Sequence, residues 1–154
     1  MKEFPLSYTL SAGPEVAPGY PFDKAADLTD AAERERLSPV AIRAFLRICE
    51  KWGLTEAQQR ALLGGIASST FHAWKAAPEA QKLSQDTLIR ISLVIGIYKA
   101  LHIYFSQAWA DRWVRLGNRG ALFAGRAPVE FMVRHGQPGM VEVRRMLDAW
   151  RGGR

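Results

Sequence analysis

Leu54–Lys75 reads LTEAQQRALLGGIASSTFHAWK, and the fold turns on how this stretch is punctuated. Thr55-Glu56-Ala57-Gln58 has the form of a capping box, in which a threonine hydroxyl and a glutamine amide satisfy each other's backbone N–H groups. The helix it starts should run to Leu63 and stop at Gly64-Gly65, where glycine's access to positive φ lets the chain reverse. IASSTFHAWKAA follows as a second short helix, opening near Ala67 or Ser68 and broken by Pro78. A capped helix, a glycine turn and a second short helix form the layout of a helix-turn-helix. On this reading Ala57, Leu62 and Leu63 pack inward, while Ile66, Phe71 and Trp74 anchor the second helix. Ser68, Ser69, Thr70, His72 and Lys75 then face outward, and small polar residues at such a helix start suit the DNA major groove. Arg60, Lys75 and Lys82 stand where they can hold phosphates. The competing reading is a helical hairpin whose polar face meets only water.

Working outward, Ser38-Pro39 reads as the start of an earlier helix, with serine capping and proline in the first turn. Val40, Ile42, Ala44, Phe45, Ile48, Cys49 and Trp52 give it an apolar stripe, and Gly53 should end it. Downstream, Ser84 caps a long helix, SQDTLIRISLVIGIYKALHIYF. Leu88, Ile91, Ile95, Tyr98, His102 and Phe105 line one face of it, and Ile89, Leu93, Ile97 and Leu101 a second. A helix apolar on two faces is covered on both sides, here by the preceding helices and by the C-terminal region or a second copy of the chain. Gly96, at a propensity cost of roughly 1 kcal/mol, predicts a close approach at mid-helix. Arg90, Lys99 and His102 interrupt the apolar run, so it reads as a central buried helix rather than a membrane span.

Composition divides the chain into three parts: an arm at 1–37, a helix-turn-helix domain with its long connecting helix at 38–106, and a C-terminal domain at 107–154. The arm holds Pro5, Pro14, Pro18 and Pro21, and a short helix is expected over Asp27–Arg36. The net charge of +6 is uneven. The arm carries four basic and seven acidic groups, the middle eight and four, and the last part nine and four. Those nine are all arginine, the side chain suited to bidentate contact with carboxylate or phosphate. In the last part Asn118-Arg119-Gly120 reads as a turn, Pro128–His135 as a short helix closed by Gly136, and Pro138-Gly139 as the opening of a helix to Trp150.

Enzymatic chemistry finds no foothold. Gly120–Ala127 has the spacing of a phosphate-binding loop, but Arg126 and Ala127 replace its lysine and hydroxyl and no strand pattern precedes it. His72, His102 and His135 lack metal-ligand spacing, and His102 reads as a satisfied buried or interfacial histidine. Glu33 and Glu35 point to different helix faces. Cys49 reads as a core thiol, and a single cysteine fits a cytoplasmic setting. No cofactor, metal or membrane is expected, and the chain is not expected to be an enzyme.

The chain resembles Xre-type antitoxins of RES–Xre toxin–antitoxin modules, which carry an MbcA/ParS/Xre toxin-binding domain. The helix-turn-helix matches their N-terminal part. The sharper likeness lies in LSQDTLIRISLVIGIYKALHIYF and WVRLGNRGALFAGRAPVEFMVRHGQPGMVEVRRMLDAWRGG, where Asn118, Leu122, Phe123, Gly125, Pro128, Gly136, Val141 and Leu147 stand at family positions. Gly117 departs from the proline that relatives often carry before the asparagine, and Ala127 from their serine cap. The resemblance covers about residues 38–152. It implies an all-α protein, an N-terminal helix-turn-helix followed by a small helical toxin-binding domain. It also implies an antitoxin that binds and neutralises an NAD-consuming RES-domain toxin and represses its own operon. Operator DNA and the toxin would be its partners, and it is expected to form a homodimer within a larger complex. On that basis Arg126, Arg144, Arg145, Met146, Trp150, Arg151 and Arg154 are the candidate toxin contacts, with Leu147 beside them on the final helix. The alternative is a dimeric DNA-binding regulator without a toxin partner.

Overall fold

The computed structural model describes residues 26–153, and its regular elements are all helical. They are α1 (Ala31–Trp52), α2 (Glu56–Leu62), α3 (Ser68–Ala76), α4 (Gln85–Tyr104), α5 (Gln107–Arg112) and α6 (Pro128–Gly153), with 3-10 turns at Pro78–Ala80 and Trp113–Arg115. An all-α chain with an N-terminal helix-turn-helix and a helical C-terminal part is what the sequence led us to expect.

The start of α1 differs from the reading above. The helix begins at Ala31, where the Asp30 carboxylate accepts the Ala32 amide, and it carries Pro39 in its interior. The proline withholds an N–H from the helix ladder. Ser38 is buried rather than capping: its hydroxyl donates to the Arg34 carbonyl and accepts the Leu83 amide at 2.9 Å. That bond ties α1 to the segment leading into α4. The short helix expected over Asp27–Arg36 is therefore the first part of α1, and the rest of the expected arm, 1–25, lies outside the described residues. Gly53 ends α1 in the left-handed region (φ 68°), its N–H bonding back to the Cys49 and Glu50 carbonyls. Val40, expected in the apolar stripe, is 37% exposed, while Ile42, Phe45, Ile48, Cys49 and Trp52 are buried. Burial also pushes the Cys49 thiol far above its ordinary pKa, as expected of a core thiol.

α4 is the axis of the molecule. Capped by Ser84, whose hydroxyl accepts the Thr87 amide, it packs on α1 on one side and α6 on the other. By length and composition it is the one described helix apolar enough to cross a membrane. Leu88, Ile91, Val94, Ile97 and Leu101 are nonetheless enclosed by protein. The close approach at Gly96 is made by a side chain, not by another backbone. A Cβ there would lie 1.9 Å from a terminal guanidinium nitrogen of Arg144 on α6. α6 breaks at Gly136 (φ 68°, ψ −151°) and resumes through Pro138, as the sequence indicated. It does not stop at Trp150 but continues through Gly153.

An aromatic ladder binds the C-terminal part together. Trp150 packs edge-on against Tyr104 of α4 (5.3 Å between centroids) and against Trp113 (6.3 Å). Trp113 meets Phe123, and Phe123 meets Phe131 on α6. The 117–127 loop is thereby fastened to the helices on either side of it.

Candidate functional site

Two surfaces are candidates, one on α2–α3 and one beyond α4. At the first, Thr55 caps α2 by accepting the Gln58 amide, and Gln58 returns the bond to the Thr55 N–H. Gly64 and Gly65 both take positive φ (101° and 80°) to turn the chain. α3 then starts from Ala67 without a side-chain cap, so its first amides remain open to an external acceptor. Phe71 and Leu62 are buried and anchor the two helices. Ala57, expected inside, is exposed on α2.

The structure brings the candidate DNA contacts together but does not leave them equivalent. Ser69, Thr70, His72 and Lys75 are exposed, and Ser68 is half-buried. Lys75 Nζ rests over the Phe71 ring at 5.4 Å. Arg60 is partly spent on the fold: its Nε donates to the Ile66 carbonyl at 2.8 Å, which clasps the turn between the helices. Glu56, which the sequence reading treated only as part of the capping box, is a hub. Its carboxylate accepts the Ser68 hydroxyl at 2.8 Å, lies 3.1 Å from His72 Nε2, and sits 3.8 Å from the Arg60 guanidinium. The Ser68 hydrogen bond, followed by the charges of His72 and Arg60, holds this carboxyl below its ordinary pKa. The signal in the sequence was a glutamate at the first helical position facing a serine at the next helix start, which is informative only once the two helices are docked.

In the C-terminal part the candidate contacts scatter. Leu147 is wholly buried, so its assignment as a docking residue is corrected: it belongs to the core with Met140 and Val143. Trp150 is half-buried within the aromatic ladder, and Met146 is half-buried beside the core. Arg144 lies over Gly96 and pairs with Asp148 at 2.9 Å; Arg145 is more exposed and pairs with Glu142 at 2.7 Å. Arg126 is exposed at the end of the 117–127 loop. Arg151 falls within α6, and Arg154 lies outside the described residues.

The loop itself is closed on its own backbone. The Phe123 and Ala124 amides bond to the Gly120 carbonyl, Gly125 to Asn118, Arg126 to Phe123, and Asn118 to Arg126. The Asn118 side chain accepts the Gly120 amide. These N–H groups are spent on carbonyls of the loop itself, whereas a phosphate-binding loop must present them outward. His102 joins α4 to α5, with Nδ1 2.9 Å from the Tyr98 carbonyl oxygen and Nε2 3.1 Å from the Asp111 carboxylate. Among the described residues no group of His, Cys, Asp and Glu is arranged to hold a metal.

One residue that sequence reasoning passed over stands out. Trp109 on α5 is 53% exposed, against 37% and 36% for Val40 and Val133, the other large apolar side chains left open. The Arg112 guanidinium lies 5.4 Å from its ring centroid. α5 is too short to show a hydrophobic period, so nothing in the sequence separated Trp109 from the buried Trp113.

Comparison with known proteins identifies the domain that carries each surface. Residues 31–96 match the antitoxin Xre-like helix-turn-helix domain, and residues 99–153 match the antitoxin Xre/MbcA/ParS C-terminal toxin-binding domain. An uncharacterized protein, y4oB, of Sinorhizobium fredii is 38% identical over 116 residues, covering 75% of this chain and 87% of that protein. A helix-turn-helix and a toxin-binding domain meeting on a single central helix are the two parts of an antitoxin, and the chain belongs to the Xre/MbcA/ParS antitoxin family.

Proposed function

We propose that this antitoxin acts in the cytoplasm without catalytic activity of its own, neutralising an NAD-consuming RES-domain toxin by direct binding. We further propose that it represses its own operon as a homodimer, through α2–α3 on operator DNA. The observation that carries the reading is the place where the two domain matches meet. One ends at Ile95-Gly96 and the other begins at Lys99, both inside α4. α4 packs on α1 of the first module and on α6 of the second, and α2 also packs directly on α6. A partner bound to one module is thus held rigidly relative to DNA bound by the other.

The candidate DNA contacts are Arg60, Ser68, Ser69, Thr70, His72 and Lys75. The candidate toxin contacts are Arg126, Arg145, Met146, Arg151 and Arg154, with Arg144 and Trp150 acting chiefly through packing, and we add Trp109. Co-expression with a RES-domain toxin encoded beside this gene tests the reading. Growth and cellular NAD should be restored when the antitoxin is present. A toxin that depletes NAD and stops growth equally in its presence would sink the proposal and leave the dimeric DNA-binding regulator.

A further inference from the structure

Glu56 is the one acidic side chain held among the candidate DNA contacts of α2–α3, and its position needs a reason. A carboxylate facing DNA repels phosphates and lowers the electrostatic affinity that lysine and arginine supply. Here it is not idle. It is bonded to Ser68 at 2.8 Å and lies 3.1 Å from His72. Those two residues stand one turn apart on α3 and so share a face. Ser69 and Thr70, between them, are exposed.

We propose, building on the DNA-binding reading, that Glu56 is a positioning residue for sequence readout. Its carboxylate fixes the rotamers in which Ser68 and His72 are offered to the major groove, at the expense of sequence-independent affinity. Ordering two side chains before DNA arrives removes part of the entropy cost of binding them in register. The benefit falls on the matched site alone, because a mismatched site offers those groups no partner. The electrostatic penalty falls on every sequence.

The test is selection of duplexes from a random DNA pool by the full chain, its Glu56→Ala variant and its Glu56→Gln variant. Affinities for the wild-type consensus and for an unrelated duplex are then measured, with circular dichroism verifying the fold. The ratio of the two affinities is the readout. For Glu56→Ala it should fall about tenfold, the scale of one poorly read base pair, while affinity for the unrelated duplex rises. For Glu56→Gln, which keeps an oxygen acceptor for Ser68 but no charge for His72, the ratio should fall about threefold. Either variant decides alone if the other fails to fold. An unchanged ratio, or equal losses on both duplexes, would overturn the positioning role. If the wild-type chain itself enriches no sequence, the DNA-binding reading fails and takes this inference with it. A wild-type consensus that both variants read equally well sinks the inference alone.

Discussion

The two halves of this antitoxin use their polar residues in opposite ways. On α2–α3 four of the six candidate contacts are exposed, and the Glu56 carboxylate draws Arg60, Ser68 and His72 together. Beyond α4 the arginines are dispersed. Arg144 and Arg145 are paired along their own helix, and Arg112 is laid on a tryptophan. The aromatic residues there mostly build the fold, with Trp150, Trp113, Phe123 and Phe131 forming a single ladder. A DNA groove is regular, so a short helix with small side chains at a fixed pitch can meet it. A protein partner is irregular and is gripped by a few large anchors on a rigid base. On the proposed reading the exposed Trp109 is such an anchor, whereas Trp150, packed on Tyr104 and Trp113, belongs to the base.

The sharpest way to break this comparison is to remove one residue from each role. Leu147→Ala deletes a wholly buried side chain and should cost about 3 kcal/mol of stability, read by urea unfolding. Its effect on toxin binding should follow from the lost fold alone. Trp109→Ala should leave the unfolding midpoint nearly unchanged and weaken toxin binding by about 2 kcal/mol, roughly thirtyfold in Kd. If titration calorimetry gives Trp109→Ala wild-type affinity, α5 is outside the toxin interface.

The same division explains what could be read from the sequence. Thr55, Ser84, Gly53 and Gly136 announced helix ends correctly, because caps and left-handed turns are satisfied within a few residues. Ser38-Pro39 carried the same local signature and meant something else. Its hydroxyl is claimed by Arg34 within the helix and by Leu83 far along the chain, and only the packed structure supplies the second partner. The long helix was legible as two-sided, since its apolar residues wrap around it. Glu56 and Trp109 were not. The first acquires its role by docking of α2 on α3, and the second lies on a helix of six residues with no period to reveal its outer face.

A smaller effect sharpens the comparison within the DNA face. Lys75→Ala should lower the salt dependence of DNA binding by about one unit and leave stability unchanged. Arg60→Ala removes the clasp on the Ile66 carbonyl and should cost about 1 kcal/mol in thermal unfolding, whatever it does to DNA affinity. Equal effects of the two variants on melting temperature and on salt slope would show that Arg60 is as free for phosphate as Lys75.

The smallest expected effect falls at the join between the halves. Gly96→Ala places a methyl where the Arg144 guanidinium now lies, and the obstacle is the far end of a flexible side chain. Moving it gives up the pairing with Asp148, worth about 0.5 kcal/mol for an i,i+4 pair at this exposure. Against that, alanine improves helix propensity by about 1 kcal/mol. The two nearly cancel, so the variant should unfold within about 0.5 kcal/mol of wild type. Gly53→Ala, by contrast, must hold a side chain at φ 68° and should lose about 1 kcal/mol. A loss at Gly96 larger than at Gly53, growing as protein concentration falls, would mean that α4 meets a second backbone there. The dimer would then be built on the helix that both halves share.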